Sequence, residues 1–204
     1  MTIILDMGGV LMQHNMQGCK ARFRELLGDE AMARVLGLAD NAEGTADSLM
    51  ERFEAGNIST EDFLSTLLSY ARPGTTTEDL KQAWNTMHGG IPAERLALIR
   101  QWHKQGHRLF LLSNNNALHW QDVFSKYDLS VFEHCFASHL LHCCKPAPEI
   151  FRIADHYLRE HHLPEPYYFV DDLEANRLAA QAFGWLTFPD LQALQDEMTN
   201  AKQH

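Results

Sequence analysis

The sequence predicts an α/β fold, a doubly wound parallel sheet with a small all-helical module inserted after its first strand. Three observations lead there. A short strand that is apolar throughout, Ile3-Ile4-Leu5, stops at Asp6 and is followed by Gly8-Gly9. From about residue 13 to 90, apolar residues recur only at helical spacing. After Gly89-Gly90, strand and helix patterns alternate to the end, which implies parallel strands joined by right-handed crossovers.

The first strand has no polar alternation, as expected of a central parallel strand covered on both faces. Its two glycines permit a tight turn and close approach of backbone to a ligand. In the inserted stretch the helical spacing runs through Phe23, Leu26 and Leu27, then Met32, Val35 and Leu36, then Leu49 and Phe53, then Phe63, Leu67 and Leu68. Ser59-Thr60-Glu61-Asp62 resembles a capping box, with Asp62 in the acidic role. Arg72-Pro73-Gly74 breaks the chain, and Thr77-Glu78-Asp79 opens a helix that runs through Trp84.

Beyond the insertion, a helix is predicted over 92–104, a strand over 108–112 ending at Ser113, and a helix over about 117–127. A short strand near Cys135-Phe136-Ala137 follows, then a helix over 148–161, a strand over 167–170 ending at Asp171-Asp172, and a helix over 174–183. A last short strand near Leu186-Thr187-Phe188 leads to a closing helix. Residues 1–12 and 91–204 are therefore assigned to one α/β domain and residues 13–90 to the helical module.

Composition narrows the function. Twenty-seven acidic against 17 basic residues give a formal charge of −10, which opposes a nucleic-acid partner. No apolar run approaches the roughly 20 residues that span a bilayer, so no membrane partner is expected. The start of the chain has no basic region before an apolar stretch and no small-residue cleavage site, and reads as unsecreted. Cys19, Cys135, Cys143 and Cys144 are too few and too irregularly spaced for a disulfide framework, and read as free thiols of a cytoplasmic protein. The spacing of Cys143 and Cys144 with His139 and His142 matches no zinc knuckle.

In open parallel sheets, ligands bind beyond the carboxyl ends of the strands. Three strands end there in polar residues: Asp6, Ser113-Asn114 and Asp171-Asp172, with Lys145 in a loop stiffened by Pro146 and Pro148. Asp6 can serve as a nucleophile. Two adjacent acids at one rim repel each other unless a cation intervenes, and Lys145 offers a compact positive charge for an anionic group. His119 and Trp120, though close to this edge in sequence, read as packing and surface residues, and His14 and His88 flank the junctions of the inserted module.

The order Asp6-Met7-Gly8-Gly9-Val10-Leu11, Ser113 after an apolar strand, Lys145-Pro146, and Phe169-Val170-Asp171-Asp172-Leu173-Glu174-Ala175-Asn176 resembles the four-motif signature of the haloacid dehalogenase superfamily. The resemblance implies a Rossmann-like core, a helical cap at 13–90, and a hydrolase that acts on a small phosphorylated metabolite through an aspartyl-phosphate on Asp6. It implies magnesium held by Asp6, the Gly8 carbonyl and Asp172, with Asp171 a ligand or its neighbour. Phosphate would be bound by Ser113, Lys145 and Asn114, with the backbone of Asn115 assisting. Asn176 would orient Asp172 or a water on the metal. In most phosphatases of this superfamily a second aspartate, the acid–base group, stands where this chain has Gly8. Two further readings stay open: a weakened or non-catalytic module that binds phosphate ligands or proteins, and a metal-independent haloacid dehalogenase, against which Asp171-Asp172 argues. Oligomeric state is not legible.

Overall fold

Every strand run predicted from the sequence forms a strand of one sheet. The computed structural model describes residues 1–36 and 48–200; the 37–47 part of the predicted helical module, the side chains of residues 33–36 (Val35 and Leu36 among them), and residues 201–204 lie outside the described residues. The strands are β1 (Thr2–Leu5), β2 (Arg108–Ser113), β3 (Phe132–Ala137), β4 (Tyr167–Val170) and β5 (Leu186–Phe188), all parallel, in the order β3-β2-β1-β4-β5. The chain builds outward from β1 to β3 and then returns to place β4 on the other side of β1. The point where that direction reverses lies between β1 and β4, where such sheets open a crevice for ligands.

The helices are α1 (Met16–Leu27), α2 (Asp29–Leu36), α3 (Leu49–Glu54), α4 (Thr60–Ser69), α5 (Thr77–Asn85), α6 (Ala93–Lys104), α7 (Ala117–Lys126), α8 (Ser138–Leu141), α9 (Pro148–Glu160), α10 (Glu174–Gln181) and α11 (Leu191–Asn200). Alternate strand residues feed two layers. Ile3, Leu5, Leu109 and Leu111 pack with Ile99, Trp102 and Leu194 of α6 and α11 on one face. Ile4, Phe110, Leu112 and Phe169 pack with Ile150 and Phe151 of α9 on the other. A third cluster belongs to the helical stretch: Phe23, Phe53, Phe63, Leu67, Leu80 and Trp84 are fully or almost fully buried together, joined by Leu118 of α7.

Local details depart from expectation where side-chain chemistry competes. At α4, Ser59 caps by accepting from the Asp62 N–H, but Asp62 bonds the Ser59 hydroxyl at 2.7 Å rather than reaching back to its main chain. Complete capping boxes form instead at Ser48 with Glu51 and at Thr76 with Asp79, and α5 opens at Thr77 as predicted. β3 is longer than predicted, because a register shift opposite Leu109/Phe110 interrupts its pattern. The short helix α8 directly after it has no apolar period to announce it.

The segments entering and leaving the helical stretch pair with one another. The Gln13 N–H donates to Gly90 O (3.0 Å), Gly89 N–H to Gln13 O (2.7 Å), and Asn15 N–H to Met87 O (2.7 Å). Among the described residues, no helix is long and apolar enough to cross a membrane.

Candidate active site

Asp6 stands one residue past β1, and its N–H continues the ladder to Val170 O at 2.9 Å. The chain then folds back on itself. Leu11 and Met12 N–H both donate to Met7 O (3.0 and 2.7 Å), and Gly9 N–H donates to Met12 O (2.9 Å). Arg95 of α6 secures this loop from outside, donating to Val10 O at 2.5 Å. Gly9 has φ +76°, and a Cβ there would fall 2.4 Å from Asp172 Oδ2. Only glycine lets the loop after β1 pass so close to the acidic end of β4.

The ionic centre is buried. Lys145 Nζ lies 2.9 Å from Asp6 Oδ1 and 2.6 Å from Asp171 Oδ2. Asp171 is fully buried, and its carboxylate also accepts from Asn176 Nδ2 (3.0 Å to each oxygen) and from Leu173 N–H (2.9 Å). Burial pushes the Asp6 carboxyl up to about 6, with Lys145 opposing and Asp171 adding to the rise. A carboxylate so placed is stabilised by any cation brought to it.

Of the residues predicted from sequence, Asp6, Lys145, Asp171 and Asp172 meet at this rim. Oxygens of Asp6, Asp171 and Asp172 all lie within 4.8 Å of one another, and Asp172 is the exposed member. Hard oxygen donors in that spacing fit magnesium. Ser113 ends β2 beside β1; its hydroxyl is buried and lies 3.3 Å from Asn114 O. The Asn114 side chain clasps the Lys145 main chain, accepting its N–H (2.7 Å) and donating to its carbonyl (2.8 Å).

Two expectations are corrected. Asn176 serves Asp171, not Asp172, because the buried carboxylate needs donors that solvent gives the exposed one. The Asn115 N–H is taken by Ser138 Oγ at 2.9 Å and so is not aimed at a phosphate.

Sequence reasoning passed over Arg95, Arg177 and Ser138. Arg177 holds the end of β4 by donating to the carbonyls of Asp171 (2.7 Å) and Asp172 (2.8 Å). Neither arginine carries a recognisable signal. Ser138 does: it follows a strand end, as Ser113-Asn114 and Asp171 do.

A cavity of about 480 Å³ lies between α3 and the Lys145 loop. Its walls include Glu51, Glu54 and Asn57 on one side and Asn114, Cys144 and Lys145 on the other. A separate cavity of about 380 Å³ near Val10 and Arg95 includes none of the ionic centre. His14 projects beside the loop after β1, with ring atoms 2.7 Å from where a Cβ on Gly8 would stand.

A family model for hydrolases of the haloacid dehalogenase-like type matches residues 1–184. The chain belongs to the haloacid dehalogenase-like hydrolases. Its fold is similar to that of a family enzyme from Bacteroides thetaiotaomicron, solved in complex with magnesium and inorganic phosphate, at 25% identity and a TM-score of 0.78 over 92% of each chain. A predicted hydrolase of the same family from Porphyromonas gingivalis gives 25% identity and a TM-score of 0.79 over 97% of each chain. An L-2-haloacid dehalogenase shares the fold more distantly, with 18% identity and a TM-score of 0.56 over 92% of this chain and 84% of that one.

Proposed function

We propose that this hydrolase is a magnesium-dependent phosphatase of small phosphorylated metabolites, working through an aspartyl-phosphate on Asp6. The observation that carries the reading is Lys145 Nζ set between Asp6 (2.9 Å) and Asp171 (2.6 Å) at a rim where three carboxylates lie within 4.8 Å. Three carboxylates against one ammonium make a centre that would take up a divalent cation, and the ion with Lys145 would then balance an incoming phosphate. The likeness to an enzyme solved with magnesium and phosphate supports it.

Asp6 would attack phosphorus, splitting hydrolysis into two steps. Lys145 would hold Asp6 in line and share the charge of the phosphoryl oxygens, with Ser113 and the Asn114 backbone as further donors. Asp6, Asp172 and the Gly8 carbonyl would hold magnesium, with Asp171 kept close by Asn176. The ion would screen the phosphoryl oxygens from the carboxylates. The helical stretch 13–90 would serve as the cap that bounds the substrate, and the free cysteines suit a cytoplasmic setting. With a net charge of −10, a small phosphorylated molecule is favoured over nucleic acid.

Phosphate release from a broad panel of phosphate esters, with magnesium, tests the reading. It should vanish in Asp6→Asn, and unchanged release in that variant rejects the nucleophile. Gly8 favours a second reading, a phosphate-binding module without turnover. That reading gains if no ester is hydrolysed and no fluoroberyllate adduct forms on Asp6. Chloride release from 2-chloroalkanoates in the presence of chelator would instead mark a dehalogenase.

A further inference from the structure

The cleft holds a carboxyl that the phosphatase reading leaves unused. Glu54 ends α3 and lines the cavity of about 480 Å³ opposite Lys145 and Asn114. Its main chain is pinned from the core. Ser138 Oγ donates to Glu54 O at 2.6 Å and accepts the Asn115 N–H at 2.9 Å, next to the end of β2. Two residues on, Gly56 has φ +66°, and a Cβ there would stand 2.1 Å from His139 O. Only glycine lets this turn rest on α8. Glu54 and Lys145 thus line one cavity, and Lys145 Nζ touches Asp6.

The charged and titratable groups around it are Glu51 and Arg52 on α3, and Cys144 and Lys145 across the cavity. Burial, and then the Glu51 charge, push the Glu54 carboxyl up to about 7, so much of it carries a proton at neutral pH. Meanwhile the residue two beyond Asp6 is a glycine, with no proton to give.

We infer that Glu54 is the catalytic acid–base residue of this chain, a role that rests on the phosphatase reading above. As Asp6 forms its bond to phosphorus, the bond to the leaving oxygen breaks and its electron pair goes to that oxygen, which takes the proton of Glu54. The Glu54 carboxylate then takes a proton from the water that attacks the aspartyl-phosphate. Inorganic phosphate departs, and both the Asp6 carboxylate and the protonated Glu54 are restored.

The test compares two probes on the full chain with magnesium. p-Nitrophenyl phosphate has a leaving group that needs no proton, whereas glycerol 2-phosphate releases an alkoxide that does. In Glu54→Gln, which preserves shape, kcat/KM, which reports only the step that expels the leaving group, should fall about a hundredfold for the alkyl ester and change less than about threefold for the nitrophenyl ester. Equal losses on both probes, or none on the alkyl ester, overturn the inference alone. A wild-type chain that hydrolyses neither probe overturns the phosphatase reading with it. Leaving-group-dependent loss in His14→Gln but not in Glu54→Gln transfers the role to His14 and also overturns it. A wild-type measurement covers the case of a variant that does not fold. The ratio of alkyl to nitrophenyl kcat/KM, in which the state of Asp6 cancels, should fall as pH rises through about 7. A ratio independent of pH counts against Glu54.

Discussion

Among the described residues, the helical stretch meets the core through contacts of opposite character, one dry and one polar. Where α5 meets α7 the contact is dry and aromatic. Trp84 is fully buried among Phe23, Phe53 and Phe63 and stacks on His119 with centroids 4.9 Å apart. Its indole N–H donates to Asn116 Oδ1 at 3.1 Å. His119 Nε2–H donates to Trp84 O (3.0 Å) while its Nδ1 accepts from Asn116 (3.1 Å), which uses both ring nitrogens of the neutral imidazole. Burial holds the pKa of that ring well below the usual histidine range, so it stays neutral at physiological pH. Where α3 meets α8, by contrast, one hydroxyl and one glycine make the seat, and a polar cavity opens beside it. The first contact fixes orientation and the second shapes reaction space. Were this stretch to move against the core, its polar side should open first, because fewer buried contacts break there.

The largest expected effect breaks the anchor. Trp84→Ala removes a fully buried indole and the hydrogen bond it donates to Asn116 Oδ1. It should destabilise the fold by about 3–5 kcal/mol in chemical denaturation. A loss under about 1 kcal/mol would show that the α5–α7 contact does not hold the module.

Most of this architecture was legible in the sequence, and the reasons differ by region. The core strands read directly because Ile3-Ile4-Leu5, Leu109–Leu112 and Tyr167–Val170 are buried on both faces and carry no alternation to confuse. Asp6 and Asp171 could be drawn to one rim because each follows a strand end, and Lys145 because its loop precedes the helix that leads to the next strand. The supporting bonds could not. Whether Asn176 turns to Asp171 or Asp172, and whether Asn115 spends its N–H on Ser138, depends on which carboxylate is buried and which hydroxyl is near, and no periodicity encodes that. Glu54 lay hidden for a related reason: the end of a six-residue helix is placed by a glycine seat on another element.

A smaller effect sharpens the polar contact. The Glu54 pKa rises from an ordinary 4.5 to about 7 on folding. A carboxyl whose folded value is raised contributes stability that is fully present below about 4.5 and is lost as pH climbs through about 7. Glutamine has no such loss. The stability of Glu54→Gln relative to wild type should therefore grow between pH 4.5 and 7 and then level off, by about 1–2 kcal/mol once solvent screening at the cleft mouth is allowed for. Denaturation curves for both proteins at pH 5 and pH 8 would measure it, and a difference that does not change with pH would place Glu54 in open solvent.

The smallest effect concerns Gly8, where proton transfer could be relocated. An aspartate there would bring its Cβ to 2.7 Å from the His14 ring, so that ring must move. The move is inexpensive, because His14 is exposed and the clashing atoms are the far end of its side chain. In wild type the second carboxyl should add little if Glu54 already transfers the proton. In a Glu54→Gln background it should restore alkyl-ester turnover by about tenfold, roughly 1.4 kcal/mol of the barrier, and leave p-nitrophenyl phosphate unchanged. If Gly8→Asp instead accelerates the wild-type chain by that factor and leaves the variant unrescued, the two sides of the cleft are not exchanging one role. The cap-side wall would then be scenery for the rim rather than its partner in proton transfer.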